Sequence, residues 1–207
     1  MTLTLHGIAR SRAIRNLWMA KELDIAFTHD EVGFGPTGCR SPEFLATINP
    51  NGHIPALSDD GVVMWESLAI NLYLARKFGG PLAPAGLAEE GAMLSWCFWA
   101  VTELEPHAAQ AMYHTNGLAP EKRDPAIAAR ALEAARAPLA VLEAALEKGG
   151  GFLVGGRFTV ADLNLACVVF YLRFNPEALA DKPAIRAWYD ASMNRLAALA
   201  AFALRGN

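Results

Sequence analysis

The stretch Asn49-Pro50-Asn51-Gly52-His53-Ile54-Pro55-Ala56-Leu57 places a tight turn directly before a β-like run. Asn-Pro-Asn-Gly supplies the turn. Pro55, at the start of a strand, cannot donate a ladder hydrogen bond. A cis Ile54-Pro55 bond would turn the Ile54 backbone outward, where its N–H and C=O could pair with an extended peptide-like ligand. An edge-strand proline with no ligand is the structural alternative. Trp65-Glu66-Ser67 marks a strand end running into a helix. Free N–H groups and the positive dipole end there suit a carboxylate, with the Ser67 hydroxyl as a further donor and Glu66 as a partner for an ammonium; ordinary capping by Ser67 is the alternative. Ala9-Arg10-Ser11-Arg12 links a first strand to a first helix. Ser11 can cap that helix, and beside two arginines it can also stabilise an anion such as a thiolate. Thr159-Val160-Ala161-Asp162 reads as a capping box that starts a core helix and carries no chemistry.

These groups need elements to hold them. Leu3-Thr4-Leu5-His6 alternates as a strand, and Ile14, Leu17 and Trp18 set a helix over about residues 12–23. A second strand is expected within 25–32. Ser41-Pro42-Glu43 opens a short helix. Strands over 54–58 and 62–65 flank the turn Asp59-Asp60-Gly61, and a helix follows to about Lys77. The order β-α-β-α-β-β-α implies a parallel crossover plus an antiparallel hairpin.

Gly and Pro crowd residues 78–86, which marks a linker. The domains expected are therefore 1–79 and 87–207, with 80–86 between them. The second is wholly helical in pattern. One long helix spans about 88–114, with Met93, Cys97, Ala100, Leu104, Ala108 and Ala111 on a core stripe. Trp96, Trp99, Glu103, His107, Gln110 and His114 form a neighbouring aromatic and polar stripe that faces a cleft or a partner subunit. Further helices are expected over 125–147, kinked near Pro138, over 159–173, and in one or two pieces over 183–204.

Composition excludes several classes. Among 207 residues, 53% are apolar, enough for a core and against disorder, and the net charge of −3 lacks the basic excess of a nucleic-acid binder. No apolar run is long enough to span a membrane, and Met1 to Ala9 does not read as a signal peptide. Cys39, Cys97 and Cys167 are too few and too scattered for a disulfide framework or a metal cluster. A cytoplasmic protein with reduced thiols is expected.

Taken in order, Leu5-His6-Gly7, Ser11-x-x-x-Arg15, Asn49-Pro50-Asn51-Gly52-His53-Ile54-Pro55, Glu66-Ser67 and Thr159-Val160-Ala161-Asp162 resemble the cytosolic glutathione S-transferase family over essentially the whole chain. The resemblance implies a thioredoxin-like α/β N-terminal domain, an all-α C-terminal helical-bundle domain and a homodimer. It implies glutathione as co-substrate and no metal. Pro55 would be cis, Ile54 would pair with the cysteinyl segment, Glu66 and Ser67 would bind the γ-glutamyl end, and His53 would lie near the glycyl carboxylate. Ser11 would donate to the sulfur, as in serine-type members, and Arg10 could share that task. A free thiol has a pKa of about 8.5; a donor and nearby positive charge lower it by about 1.4 to 2.7 kcal/mol in favour of the thiolate. The expected reaction is detoxifying conjugation, the thiolate attacking a small hydrophobic electrophile held by Ala9, Trp99, His107 and Tyr113. The alternatives are a non-catalytic or regulatory binding protein and a glutathione-dependent peroxidase or isomerase. The family more often carries Lys, Gln or Arg where His53 stands.

Overall fold

A computed structural model describes residues 3–206. Met1, Thr2 and Asn207, which the domain expectation includes, lie outside the described residues. The chain forms two compact units. One gathers the residues up to Ala83 together with those from Asn194 onward; the other runs from Pro84 to Met193. The last residues pack with the α/β unit rather than with the helices.

The α/β unit is built on a four-stranded sheet in the order β2-β1-β3-β4, from β1 (Leu3–His6), β2 (Thr28–Asp30), β3 (Ala56–Asp59) and β4 (Val62–Trp65). β1 runs parallel to β2 and antiparallel to β3, and β3 pairs antiparallel with β4. The hairpin closes through Asp60 and Gly61, both at positive φ (47° and 90°), the geometry the Asp-Gly turn signal demands. β2 is shorter than the 25–32 expectation. Ile54 and Pro55 precede β3 rather than belonging to it, because the cis Ile54-Pro55 bond takes the chain out of the ladder.

Helices α1 (Ile14–Glu22) and α3 (Ser67–Phe78) supply Leu17, Trp18, Ile70 and Leu74, which with Leu5 and Leu57 are fully enclosed. Burial of such side chains contributes about 1.5–3 kcal/mol each. Near α2 (Pro42–Thr47), Cys39, Phe44, Ile54 and Ala56 form a smaller core, flanked by Ile8, Val32 and Ile48. Ser41 caps α2, its hydroxyl accepting from the Phe44 N–H at 3.2 Å. His6 ties three strands together: Nδ1 bonds Asp30 Oδ2 at 2.8 Å and Nε2 bonds Ser58 Oγ at 2.9 Å.

In the helical unit, the stretch expected as one helix divides into α4 (Leu87–Trp99) and α5 (Glu105–Met112), joined by a π-helical turn over Ala100–Leu104; a second π turn covers Tyr113–Gly117. Pro106 has no N–H to give, so the ladder is interrupted just ahead of it and the wide turn over Ala100–Leu104 bridges the gap. The expected stripe is nevertheless buried throughout, from Met93 to Ala111. α6 (Pro125–Lys148) starts at Asp124, whose side chain accepts from the Ala126 N–H at 2.8 Å, and it continues past Pro138. α7 (Val160–Val169) opens with the capping box and ends sooner than expected, in a 3₁₀ turn over Phe170–Phe174. Glu143 of α6 caps α8 (Pro183–Met193), accepting from the N–H groups of Ala184 and Ile185, both at 2.9 Å. Among the described residues, no helix is long and apolar enough to cross a membrane.

α9 (Leu196–Ala203) returns to the α/β unit and packs on α1. Phe202 meets Trp18 edge to face at 6.1 Å, and Arg195 pairs with Glu22.

Candidate functional site

Three loops of the α/β unit carry the residues singled out by sequence. The first precedes α3. Glu66 has φ 74° and ψ 109°, a conformation that costs a non-glycine residue about 1–3 kcal/mol and is met chiefly at functional sites. Its carboxylate is exposed, and among the described residues nothing pairs with it. The first helical bond of α3 runs from the Ile70 N–H to the Glu66 carbonyl at 2.9 Å, so the N–H groups of Ser67, Leu68 and Ala69 stand ahead of it. Ser67 is buried, and its hydroxyl accepts from Arg15 Nη1 at 3.1 Å. That bond uses a lone pair and leaves the hydroxyl proton available to a ligand. Together these groups form an anion seat, with the dipole of α3 behind it.

A buried polar network braces the seat from α1. Asn16 Nδ2 donates to the Ser67 carbonyl at 2.8 Å and to Asn71 Oδ1 at 2.7 Å, and Asn71 Nδ2 donates to the Arg15 carbonyl at 3.2 Å. Arg15 is 2% exposed, so a guanidinium charge stands beneath Ser67 with little water to screen it. Sequence reasoning noted Arg15 only as part of a motif and missed Asn16 and Asn71. Their signal was available: all three fall on otherwise apolar helical faces.

The second loop leads into β3. Ile54-Pro55 is cis, as expected. Among the described residues, the Ile54 N–H and C=O have no hydrogen-bond partner. Asn49, which sequence reasoning noted only as part of the turn, is buried and organises this loop: Nδ2 donates to the His53 carbonyl at 2.9 Å and Oδ1 accepts from the Asn51 N–H at 3.0 Å. The His53 ring is exposed. Cys39 is buried, its thiol donating to the Gly52 carbonyl at 3.0 Å.

The third loop joins β1 to α1. Ser11 is half-buried, and its hydroxyl donates to the Ile8 carbonyl at 2.7 Å while accepting from the Ala13 N–H at 3.1 Å. It thus caps the entry to α1, although the helix proper begins at Ile14. Arg10 is exposed, and its Nε donates to the Arg205 carbonyl at 2.7 Å, a contact with the end of the chain that sequence could not suggest. Ala9 is buried.

Trp99, His107 and Tyr113 belong to the helical unit. His107 and Tyr113 line one cavity of about 680 Å³ with Pro106, Gln110, Ile127 and Arg130. Trp99 is not part of its lining; it stacks edge to face on Trp96 at 5.2 Å. Among the described residues, no group of His, Cys, Asp and Glu side chains is placed to hold a metal ion.

An extended backbone edge at Ile54, an anion seat at α3 and a hydroxyl at the mouth of α1 would suit a short peptide with a free amino-acid end. The glutathione S-transferase N-terminal domain matches residues 1–76, and the C-terminal domain of the same family matches residues 125–191. Glutathione S-transferase 3 of Zea mays is 31% identical over 198 residues, covering 91% of this chain and 88% of its own. The disulfide-bond oxidoreductase YfcG of Escherichia coli strain K12 is 34% identical over 184 residues, covering 84% and 82%. The glutathione-bound theta-class glutathione S-transferase of Xanthomonas axonopodis pv. citri superposes with a TM-score of 0.87 at 31% identity, over 97% of each chain. The chain belongs to the glutathione S-transferase family.

Proposed function

We propose that the protein is a glutathione transferase that activates the glutathione thiol for attack on a small hydrophobic electrophile. The observation carrying this reading is the α3 seat. A buried arginine, a buried serine hydroxyl and a helix N-terminus converge on a place for a carboxylate, and the unpaired Glu66 stands beside it for an ammonium. That pairing matches the free α-amino acid of a γ-glutamyl group. Ile54 offers its N–H and C=O to the cysteinyl residue, held by Pro55 in the cis turn. His53 would meet the glycyl carboxylate.

The sulfur then lies toward the β1–α1 loop. Ser11 donates to it by rotating its hydroxyl away from the Ile8 carbonyl, and the Arg10 charge assists. The thiolate forms the new C–S bond as the electrophile's leaving group departs. His107 and Tyr113 are the proposed electrophile contacts within the helical unit. Exposed Val62, Val63 and Trp65 on β4, and Leu94, Phe98 and Val101 along α4 and the turn after it, support a homodimer.

The Ser11 hydroxyl bond to Ile8 favours one second reading: a protein that binds glutathione without activating it. Ultraviolet titration of the thiolate of protein-bound glutathione separates the two. A bound thiol pKa well below 8.5, with turnover of an activated aryl halide, is the expected result. Binding with an unshifted thiol supports the second reading, and no binding refutes both.

A further inference from the structure

The β1–α1 loop is fastened from outside by the end of the chain. Arg10 Nε donates to the Arg205 carbonyl at 2.7 Å, and Arg205 Nη1 donates back to the Ala9 carbonyl at 3.0 Å. Each guanidinium grips the other segment's main chain, so the two bonds form a reciprocal clasp across about 195 residues of sequence. α9 delivers Arg205 to this place. It is anchored on α1 by the Phe202–Trp18 contact and the Arg195–Glu22 pair. Its last turn is closed by bonds from the Leu204, Arg205 and Gly206 N–H groups to the carbonyls of Ala201, Phe202 and Ala203. Beyond it, a β-carbon placed on Gly206 would lie 3.6 Å from Arg10 Nη2, so the tail backbone runs along the Arg10 guanidinium.

Other bonds hold the loop on either side of the Ala9–Arg10 peptide. The Ile8 N–H bonds the Val32 carbonyl at 3.0 Å, and the Ile8 carbonyl takes both the Ser11 N–H and the Ser11 hydroxyl. The Ala9–Arg10 peptide lies between these points, and Ala9 is 4% exposed, so its carbonyl has little recourse to water. Loss of the Arg205 donor would leave the buried Ala9 acceptor unmet and this peptide less firmly held, with the Arg10 side chain still bonded to the main chain at position 205.

We infer that Arg205 is a positioning residue for thiol activation, fixing the Ala9–Arg10 peptide so that Ser11 and Arg10 keep their direction when the hydroxyl leaves Ile8 for the sulfur. This rests on the proposed role of Ser11. The clasp touches neither Ile54 nor the α3 seat, so it governs the reactivity of bound glutathione rather than its affinity.

The test measures the bound-thiol pKa, kcat, glutathione Kd and melting temperature for the wild type, Arg205→Ala, Arg205→Lys and Ser11→Ala. In Arg205→Ala the bound thiol is expected to titrate about one pH unit higher, with kcat at neutral pH down about tenfold and Kd within about twofold. Arg205→Lys, which restores a single donor toward the Ala9 carbonyl, recovers most of both. Arg205→Ala with the wild-type thiol pKa and kcat overturns the inference while leaving the Ser11 reading intact. So does a variant that loses glutathione binding together with melting temperature, because the tail would then be merely structural. A wild type whose bound thiol titrates like free glutathione, or a Ser11→Ala variant with the wild-type thiol pKa, refutes the Ser11 reading and the inference with it.

Discussion

Asp162 offers a sharp test of how the helical unit is held together. Its carboxylate is fully enclosed and accepts four hydrogen bonds: from the Thr159 N–H at 2.9 Å, the Thr159 hydroxyl at 3.0 Å, the Trp188 indole at 3.0 Å and the Leu153 N–H at 3.1 Å. Three of these donors are N–H groups that cannot turn away. Asp162→Ala leaves all three without their acceptor; two of them, the Thr159 N–H and the Trp188 indole, are buried, and at about 1–3 kcal/mol for each buried donor a loss of about 2–6 kcal/mol is expected. Asp162→Asn keeps the shape and one acceptor oxygen. With that oxygen toward Leu153 and Trp188, the amide NH2 can donate to the Thr159 hydroxyl, and only the Thr159 N–H is opposed. The buried charge also disappears, and this offsets part of the cost. About 1–3 kcal/mol is therefore expected. At about 2–4 °C per kcal/mol, thermal melts followed by circular dichroism separate the two variants clearly.

The pH dependence has a definite sign. Burial raises the Asp162 pKa, against the pull of its four donors. Its ionisation therefore disfavours the native state once the pH passes the unfolded carboxylate range. The stability gap between the wild type and Asp162→Asn should widen as the pH falls toward 4. A gap that narrows on acidification, or an Asp162→Ala loss below about 1 kcal/mol, refutes the reasoning.

Three further outcomes are expected. Ser67→Ala removes both the Arg15 acceptor and a ligand donor; glutathione Kd measured by calorimetry should rise about tenfold, and a change under twofold would remove Ser67 from the seat. The Glu89 carboxyl is held down to about 2, chiefly by the bond from Arg157 and then by the Ala85 N–H. The stability this pair contributes should be present above about pH 4.5 and lost as the pH falls toward 2, so melts of Arg157→Gln should differ from the wild type at pH 6 and converge with it in acid. His6→Phe keeps the edge contact with Phe44 at 6.2 Å but breaks the bonds to Asp30 and Ser58; urea unfolding should show a loss of about 1–3 kcal/mol, and an unchanged midpoint would deny His6 its bridging role.

What was legible in the sequence was local. The Asp-Gly hairpin, the Ser41 cap and the Thr159–Asp162 box each rest on residues within a turn of one another, the Met93–Ala111 stripe on residues each about a turn from the next, and each formed as its pattern demands. What was hidden depends on distant partners. α9 is apolar around its whole circumference, so no stripe says which surface it should cover, and its packing on α1 could not be read. The Arg10–Arg205 clasp joins an exposed loop to residues at the other end of the chain. The π turn ahead of Pro106 was concealed for a different reason: apolar periodicity tolerates one wide turn, and only the missing N–H marks the break.

The buried polar face of α1 gives the proposed site its logic. A helix meant only to fill a core would carry apolar residues at positions 15 and 16. Here Arg15 and Asn16 are buried and cost desolvation, which their bonds to Ser67 and Asn71 offset in part. Such groups contribute little net stability. What they specify is the register between α1 and α3. The loop entering α1 carries Ser11, and the N-terminus of α3 carries Ser67. Locking the two helices together therefore fixes the spacing between the proposed sulfur donor and the proposed γ-glutamyl seat. On the proposed reading, Arg15 and Asn16 trade core hydrophobicity for the spacing of that ligand site.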